Sequence, residues 1–195
     1  MPASAAPSDE DLMLAYAAGD GAAFDTLYER HKGGVYRYLL RQCRHAGVAD
    51  ELFQDVWMNL IRARTGYAPI AKFTTWLYRL AHNRLIDHYR ASGVATLVSA
   101  DDDAHADAVA AIAADCGDEP NARAENRELG ERLKSAVAAL PAAQREAFLL
   151  HQEGGLSLGE IAELTGAGVE TVKSRLRYAM NKLRSDLSDL YEPLR

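Results

Sequence analysis

Residues 157–183 read SLGEIAELTGAGVETVKSRLRYAMNKL, and this stretch decides the fold class of the second half of the chain. Ser157 followed by Glu160 is a capping-box pattern, which predicts the start of a short helix. A helix-turn-helix needs a small residue in its first helix, a glycine four positions later and an apolar residue in its second helix. In this sequence these residues are Ala162, Gly166 and Val172. We therefore expect a helix-turn-helix whose second helix begins at Val169.

The second helix of this motif is predicted to have a polar, cationic face opposite its apolar face. The predicted core residues of the motif are Ile161, Leu164, Val169, Leu176, Ala179 and Leu183. The outer face carries Glu170, Ser174, Arg177, Tyr178 and Asn181, flanked by Lys173, Arg175, Lys182 and Arg184. Such a mixture suits a major groove, because cations hold phosphates while shorter polar groups reach base edges. The alternative is a helical hairpin with a solvated face, which the capping box and the turn spacing disfavour.

Two further helices are predicted upstream, which gives a second domain over residues 122–192. The first runs from about 122 to 139, and Pro141 is well placed in the first turn of the next. Residues 92–121 are rich in Ala, Asp and Gly and include three consecutive aspartates, Asp101–Asp103. Because they lack aromatic residues and an amphipathic period, they predict a flexible acidic linker.

The first domain, residues 8–91, is predicted to be entirely helical. Ser8 and Asp20 are N-cap candidates for the first two helices. A third helix is expected from about 49 to 64 and a fourth from about 74 to 91, after a loop that contains Gly66 and Pro69. Since no strand pattern of useful length occurs, the fold class is all-α, with two small helical domains joined by the linker.

The fourth predicted helix interleaves aromatic and cationic residues. Trp76, Arg79, Asn83, Asp87 and Arg90 form one stripe on it. An aromatic ring beside cations suits unpaired nucleic acid, because the ring stacks on a base and the cations neutralise the backbone. The alternative is that the aromatic residues simply pack in the core.

Composition excludes several classes of protein. The chain has 195 residues and a net charge of −6, but residues 62–90 carry six basic residues against one acidic residue. No apolar run approaches the roughly 20 residues of a membrane span, so we expect no membrane insertion. No secretory signal is visible, which predicts a cytoplasmic protein. Cys43 and Cys116 form no paired motif, and no catalytic or metal-binding pattern occurs, so neither cofactor, metal nor enzyme activity is expected.

Three stretches resemble a known family. They are DELFQDVW at 50–57, FTTWLYRLAHN at 73–83, and Leu140-Pro141 with the helix-turn-helix after it. Together they resemble a bacterial RNA polymerase sigma factor of the extracytoplasmic-function (ECF) class. The resemblance covers nearly everything except the extreme N-terminus and the linker. It implies that 8–91 is sigma region two, that 122–192 is sigma region four, and that the protein is a transcription initiation factor.

The resemblance also implies roles for individual residues. The polar face that docks on the clamp coiled coil of the largest polymerase subunit is Glu51, Gln54 and Asp55. The residues that melt and read the minus-ten element are Tyr67, Lys72, Phe73, Trp76, Arg79 and Asn83. The residues that read the minus-thirty-five element are Lys173, Ser174, Arg175, Arg177 and Tyr178. The implied partners are core RNA polymerase (clamp coiled coil and flap), promoter DNA and an anti-sigma factor. The loop at 66–72 lacks the Phe-Arg-Gly type of sequence that many relatives carry, so no base preference is transferred.

Two other functions fit the pattern. The first is a stand-alone helix-turn-helix regulator that binds duplex DNA as a dimer, and it would bind promoters without core polymerase. The second is an interaction module whose basic faces serve an acidic protein partner, and it would not depend on DNA.

Overall fold

The computed structural model describes residues 6–93 and 123–188, with side chains from residue 128 onward in the second range. This part of the chain consists of helices and a short 3-10 turn at Arg64–Gly66, which confirms the all-α class. The helices are α1 (Asp9–Ala17), α2 (Gly21–Cys43), α3 (Ala46–Ala63), α4 (Phe73–Ala91), α5 (Arg123–Ala138), α6 (Ala142–Gly154), α7 (Leu158–Thr165) and α8 (Val169–Asp186). The predicted linker, apart from residues 92 and 93, and Cys116 lie outside the described residues.

The first domain is built from α1 to α4, in which α2, α3 and α4 pack in succession and α1 covers α2. The predicted caps are present, since Ser8 Oγ accepts from the Asp11 amide and the Asp20 carboxylate accepts from the Ala22 amide. The core consists of fully or almost fully buried apolar side chains contributed by all four helices. They include Met13, Leu27, Val35, Leu52, Val56, Leu60, Leu77 and Leu85.

Two helices of this domain have capping groups that the sequence pattern did not predict. Helix α3 begins three residues before Ala49, because Nδ1 of His45 accepts from the Val48 amide and caps it. Helix α4 has no cap from its own chain segment. Its first amide, on Phe73, donates instead to Glu10 Oε1 of α1 at 2.7 Å. The His45 cap fixes the start of α3, and the Glu10 cap fixes the end of the loop that leads into α4.

The second domain confirms the helix-turn-helix. The reciprocal capping box of Ser157 and Glu160 starts α7, and Gly166 ends it with φ of 70°. Val172 is fully buried against α7. The prediction that Val169 belongs to the core is wrong, because this first residue of α8 is 47% exposed and burial begins one turn later.

The two domains are in contact, which the sequence pattern did not predict. Helix α6 packs along α2, α4 touches both α6 and α7, and α5 touches α2. One cluster of buried apolar residues runs through both domains. We call the contact of α2 and α4 with α6 and α7 the junction.

Candidate nucleic-acid interface

Helix α4 has two faces with different surroundings. Leu77, Ala81 and Leu85 are fully buried in the core of the first domain. Arg79 and Asn83 lie on the exposed side, as their helical spacing predicts. The helix therefore presents polar side chains at the surface while its apolar stripe anchors it.

An aromatic cluster lies at the start of α4. The half-buried ring of Trp76 is 5.0 Å from the Tyr67 ring and 6.0 Å from the Phe73 ring, measured between centroids. Phe73 itself is fully buried, so it cannot touch a nucleic-acid strand in this arrangement. The Phe73 ring packs against the Trp76 ring from the core side. The adjoining loop is open, with Ile70 93% exposed.

Two cations at and near the start of α4, Arg79 and Lys72, have acidic partners in the second domain. Arg79 donates from Nη2 to Glu163 Oε1 at 2.7 Å. Lys72 Nζ lies 3.9 Å from Glu160 Oε2, and the buried hydroxyl of Thr75 donates to Glu160 Oε1 at 2.6 Å. These contacts place the first helix of the helix-turn-helix against the start of α4.

The outer face of α8 is accessible. Lys173, Arg177 and Tyr178 are exposed, and the Arg177 guanidinium lies 5.1 Å from the centre of the Tyr178 ring. Lys173 makes a loose ion pair with Glu170 on the same helix, at 3.4 Å. Arg175 differs, because it is only partly exposed and its Nε is buried without a hydrogen-bond partner. Ser174 is also partly exposed.

The polar face of α3 is on the surface as well. Glu51 and Gln54 are exposed. Asp55 is partly exposed and accepts from Arg84 Nε of α4 at 2.7 Å, so it joins the two helices. Met58 adds an apolar side chain, 45% exposed, to the same face.

Sequence reasoning missed the polar residues of the junction. Glu153, at the end of α6, accepts from Arg41 at 2.7 Å and from Arg37 at 2.9 Å, both on α2. The Tyr78 hydroxyl of α4 donates to the Glu153 carbonyl at 2.7 Å. The sequence contains only a weak signal for this contact, namely the acidic residues on α6 and α7. Such residues are unusual only in a domain that is already known to bind DNA.

A second group of polar side chains is buried at the junction. His82 Nδ1 of α4 lies 2.9 Å from Glu146 Oε1 of α6, without hydrogen-bond alignment. Arg145 donates to the Leu140 carbonyl at 3.0 Å and more weakly to Gln42 of α2 at 3.4 Å. Burial, followed by repulsion from Arg44, lowers the pKa of Arg145 to about 10.

Glu160 is an anion that its hydrogen-bond partners stabilise at the junction. Burial alone would raise the pKa of its carboxyl, but hydrogen bonds from Ser157 and Thr75, with Lys72 nearby, outweigh burial and lower the pKa to about 2. The carboxylate is therefore fully ionised at neutral pH. Burial also raises the pKa of the Tyr78 hydroxyl well above its usual range.

Within residues 6–93 and 123–188, no helix is long and apolar enough to cross a membrane. Over the same ranges, no three His, Cys, Asp or Glu side chains come together as a metal site.

Family models match both domains. The model of Sigma-70 region 2 matches residues 27–94, and the model of Sigma-70, region 4 matches residues 130–183. The two matches fall on the helices that carry the α4 and α8 faces.

Two curated relatives match almost the full length of the chain. The ECF RNA polymerase sigma factor SigK of Mycobacterium tuberculosis is 32% identical over 187 residues, covering 92% of this chain and 94% of SigK. The RNA polymerase sigma factor CarQ of Myxococcus xanthus is 31% identical over 173 residues, covering 88% and 94%.

Two solved structures share the fold. CnrH in complex with the cytosolic domain of CnrY has a TM-score of 0.63 at 24% identity, over 95% of this chain and 100% of CnrH. RpoE in complex with the anti-sigma factor NepR, from Bartonella quintana, has a TM-score of 0.60 at 23% identity, over 85% and 96%. With both family models and the near full-length relatives in agreement, the chain belongs to the ECF class of sigma factors, which direct RNA polymerase to promoters.

Proposed function

We propose that this sigma factor uses three separate surfaces during initiation. The α3 surface, Glu51, Gln54 and Asp55, docks on the clamp coiled coil of the polymerase. The α4 surface, with Tyr67, Lys72, Trp76, Arg79 and Asn83, captures and reads the minus-ten strand. The α8 surface, Lys173, Ser174, Arg175, Arg177 and Tyr178, reads the minus-thirty-five duplex.

One observation supports this division best. Each surface lies on a different helix whose opposite face is buried, so three rigid elements hold three chemically different polar faces. Rigid presentation matters because contacts to bases and phosphates require fixed positions. Phe73 is left out of the contact set, since its ring is in the core.

The α8 surface suits the reading of a DNA groove, because different residues can contact base edges and phosphates. Arg177 is exposed beside an aromatic ring, which suits a bidentate contact to a base edge. Lys173 lies nearer the start of the helix, where a cation can reach a phosphate. The polymerase supplies the chemistry of RNA synthesis, and the chain supplies promoter recognition.

Run-off transcription with purified core polymerase on a genomic promoter library tests the function and identifies a promoter. On that promoter, Arg177→Ala should weaken holoenzyme binding to the minus-thirty-five duplex by about 1–3 kcal/mol, and Lys173→Ala should flatten its salt dependence. Lys134→Ala is the control, because this exposed cation lies on α5, away from the α8 surface, where it pairs with Glu131. Equal behaviour of Arg177→Ala and Lys134→Ala would contradict the α8 assignment.

The proposal also includes where the protein works and what regulates it. We infer that the protein works in the cytoplasm with the polymerase and that an anti-sigma factor binds it, as NepR binds the RpoE of Bartonella quintana. Co-purification from cells that express a tagged full-length chain should recover the subunits of core polymerase and also an anti-sigma factor. Charge reversal at Glu51 and Gln54→Lys should remove the polymerase alone.

A further inference from the structure

Arg84 lies on α4 at the border between the α4 surface and the α3 surface. Because it follows Trp76 by two steps of four residues, the two side chains belong to one row on the helix, about 12 Å apart along its axis. Arg79 and Arg84 lie on opposite flanks of the exposed face that carries Asn83, since Arg79 contacts α7 and Arg84 contacts α3. A strand that lies along this face would pass between the two guanidinium groups.

The contact of Arg84 with Asp55 uses only one side of the guanidinium group. Nε of Arg84 donates to Asp55 Oδ2 at 2.7 Å. Within residues 6–93 and 123–188, the terminal nitrogens Nη1 and Nη2 donate to no other group, and the Arg84 side chain is 32% exposed. Because a guanidinium group has five N–H donors, Arg84 can hold Asp55 through Nε and offer its remaining donors to a second anion.

Arg84 differs from the other two arginines of α4. The contact of Arg79 depends on region four, because its partner Glu163 lies on α7. Arg90 is 70% exposed and lies 3.9 Å from Asp87, beyond hydrogen-bond distance. Arg84 alone is held at hydrogen-bond distance by another helix of region two. Its orientation is therefore set within region two.

We propose that Arg84 binds a backbone phosphate of the captured minus-ten strand, and that Asp55 is the positioning residue that orients Arg84 for this contact. The inference rests on the proposed role of the α4 surface. A guanidinium group is planar and always charged, so it binds phosphate oxygens through parallel hydrogen bonds. The bond from Nε to Asp55 restrains the group in advance, so that less rotamer freedom is lost when the phosphate binds.

Asp55 then serves both the α3 surface and the α4 surface. Its Oδ2 atom accepts from Arg84, while Oδ1 accepts from no group in the part of the chain that the structure describes. The Asp55 side chain is 45% exposed. Because an ionised carboxylate accepts several hydrogen bonds at its two oxygens, Asp55 can bind the polymerase through Oδ1 while Oδ2 keeps Arg84 in place.

The experiment uses holoenzyme with core polymerase in excess and the promoter identified by run-off transcription, mismatched at the minus-ten element. Since this template is already open, its affinity reports contacts to the strand and not melting. Fluorescence anisotropy at several salt concentrations should show that Arg84→Ala weakens binding about tenfold, as loss of one charged hydrogen bond does. The slope of log K against log salt should become shallower by about 0.7, because one phosphate contact to a single strand is lost.

Asp55→Asn tests the positioning role through the sign of its effect. Removing a carboxylate near DNA would by itself strengthen binding, because it removes repulsion from the phosphates. If Asp55 orients Arg84, the variant should instead bind the open template about threefold more weakly, because Arg84 must then be ordered on binding. In the Arg84→Ala background, Asp55→Asn should cause no further loss, since no guanidinium group is left to orient.

Lys32→Ala is the control. Lys32 is also a cation of region two with a carboxylate partner at 2.7 Å, but it and this partner, Glu29, both lie on α2. The variant should bind the open template with wild-type affinity and salt slope. Circular dichroism should show that all variants keep their helix content, because exposed ion pairs contribute little to stability.

The outcomes separate this inference from the proposed function. Wild-type affinity and salt slope for Arg84→Ala would overturn the phosphate contact. Unchanged or tighter binding by Asp55→Asn would overturn its positioning role. In both cases the α4 assignment would stand if Trp76→Ala and Arg79→Ala weakened binding to the open template. If these two variants also bound like wild type, the α4 assignment itself would have failed.

Discussion

At the scale of single residues, Trp76 carries both a structural and a functional prediction. Its ring is half-buried against Tyr67 and Phe73, and the exposed part borders the open loop. Trp76→Ala should reduce formation of permanganate-reactive bubbles on a linear promoter, because a base-stacking surface is lost. A template already mismatched at the minus-ten element should restore much of the activity. The loss of unfolding free energy should be about 1–3 kcal/mol, below that of a fully buried aromatic residue.

Trp57 provides the control for this prediction. It is 5% exposed in the core of region two, so Trp57→Ala should cost roughly 3–5 kcal/mol. Because that variant loses stability and not strand capture, a mismatched template should not rescue it. If the two tryptophan variants responded identically to the mismatched template, the role of Trp76 would be structural, like that of Trp57, and not strand capture.

Glu160 gives the chain a pH dependence. Its folded pKa of about 2 lies below its ordinary value of 4.5, so the folded state favours the carboxylate. The resulting stability is fully present above about pH 4.5 and is lost as the pH falls toward 2. Thermal unfolding should therefore show that Glu160→Gln destabilises at pH 7 and that its difference from wild type shrinks below pH 4.5. Glu170→Gln, at an exposed position of α8, should match wild type throughout.

At the scale of secondary-structure elements, α4 depends on a cap from another helix. Glu10 of α1 accepts from the Phe73 amide at 2.7 Å. Glu10→Ala should lower the unfolding free energy by about 0.5–2 kcal/mol, as the loss of an N-cap does. Hydrogen exchange at the Phe73 amide should accelerate in this variant. Glu29→Ala removes an exposed carboxylate on α2 and should leave that amide protected.

Elements whose ends are defined by nearby residues could be predicted from the sequence. Ser8, Asp20 and Ser157 each cap a helix through amides two or three positions away, and Gly166 needs only its own left-handed conformation. The capping group of α4 could not be predicted in this way. Its capping carboxylate is 63 positions away, and no local pattern reports such a partner.

In the candidate site, too, features set by nearby residues could be predicted from the sequence, and features set by distant contacts could not. The exposure of Arg79, Asn83 and Arg177 follows from helical spacing, which is a local property. Burial of Phe73 was not predicted, because an aromatic residue at the first position of a helix can face either side. The inward turn of Arg175 was not predicted either, and its buried Nε has no partner in the described residues.

At the scale of the whole molecule, the distribution of charge explains how an acidic chain binds DNA. The net charge is −6, yet α4 and α8 carry local clusters of cations. The domains meet where acidic side chains of region four pair with cations of region two, as Glu163 does with Arg79, 84 positions away. Pairings at such sequence distance leave no periodic signal, which is why the junction emerged only from the structure.

The hydrogen bond from Tyr78 to the Glu153 carbonyl leaves no room for a side chain at Gly34 of α2, where an added Cβ atom would lie 2.8 Å from the Tyr78 hydroxyl, and this gives a criterion for surveying other genomes. A chain of this fold with any larger side chain at the matching position must keep its two domains farther apart or seat α6 differently, because the space beside Tyr78 and Glu153 holds no methyl group. The residue at this one helical position therefore sorts such chains by whether their two domains can pack as closely as they do here.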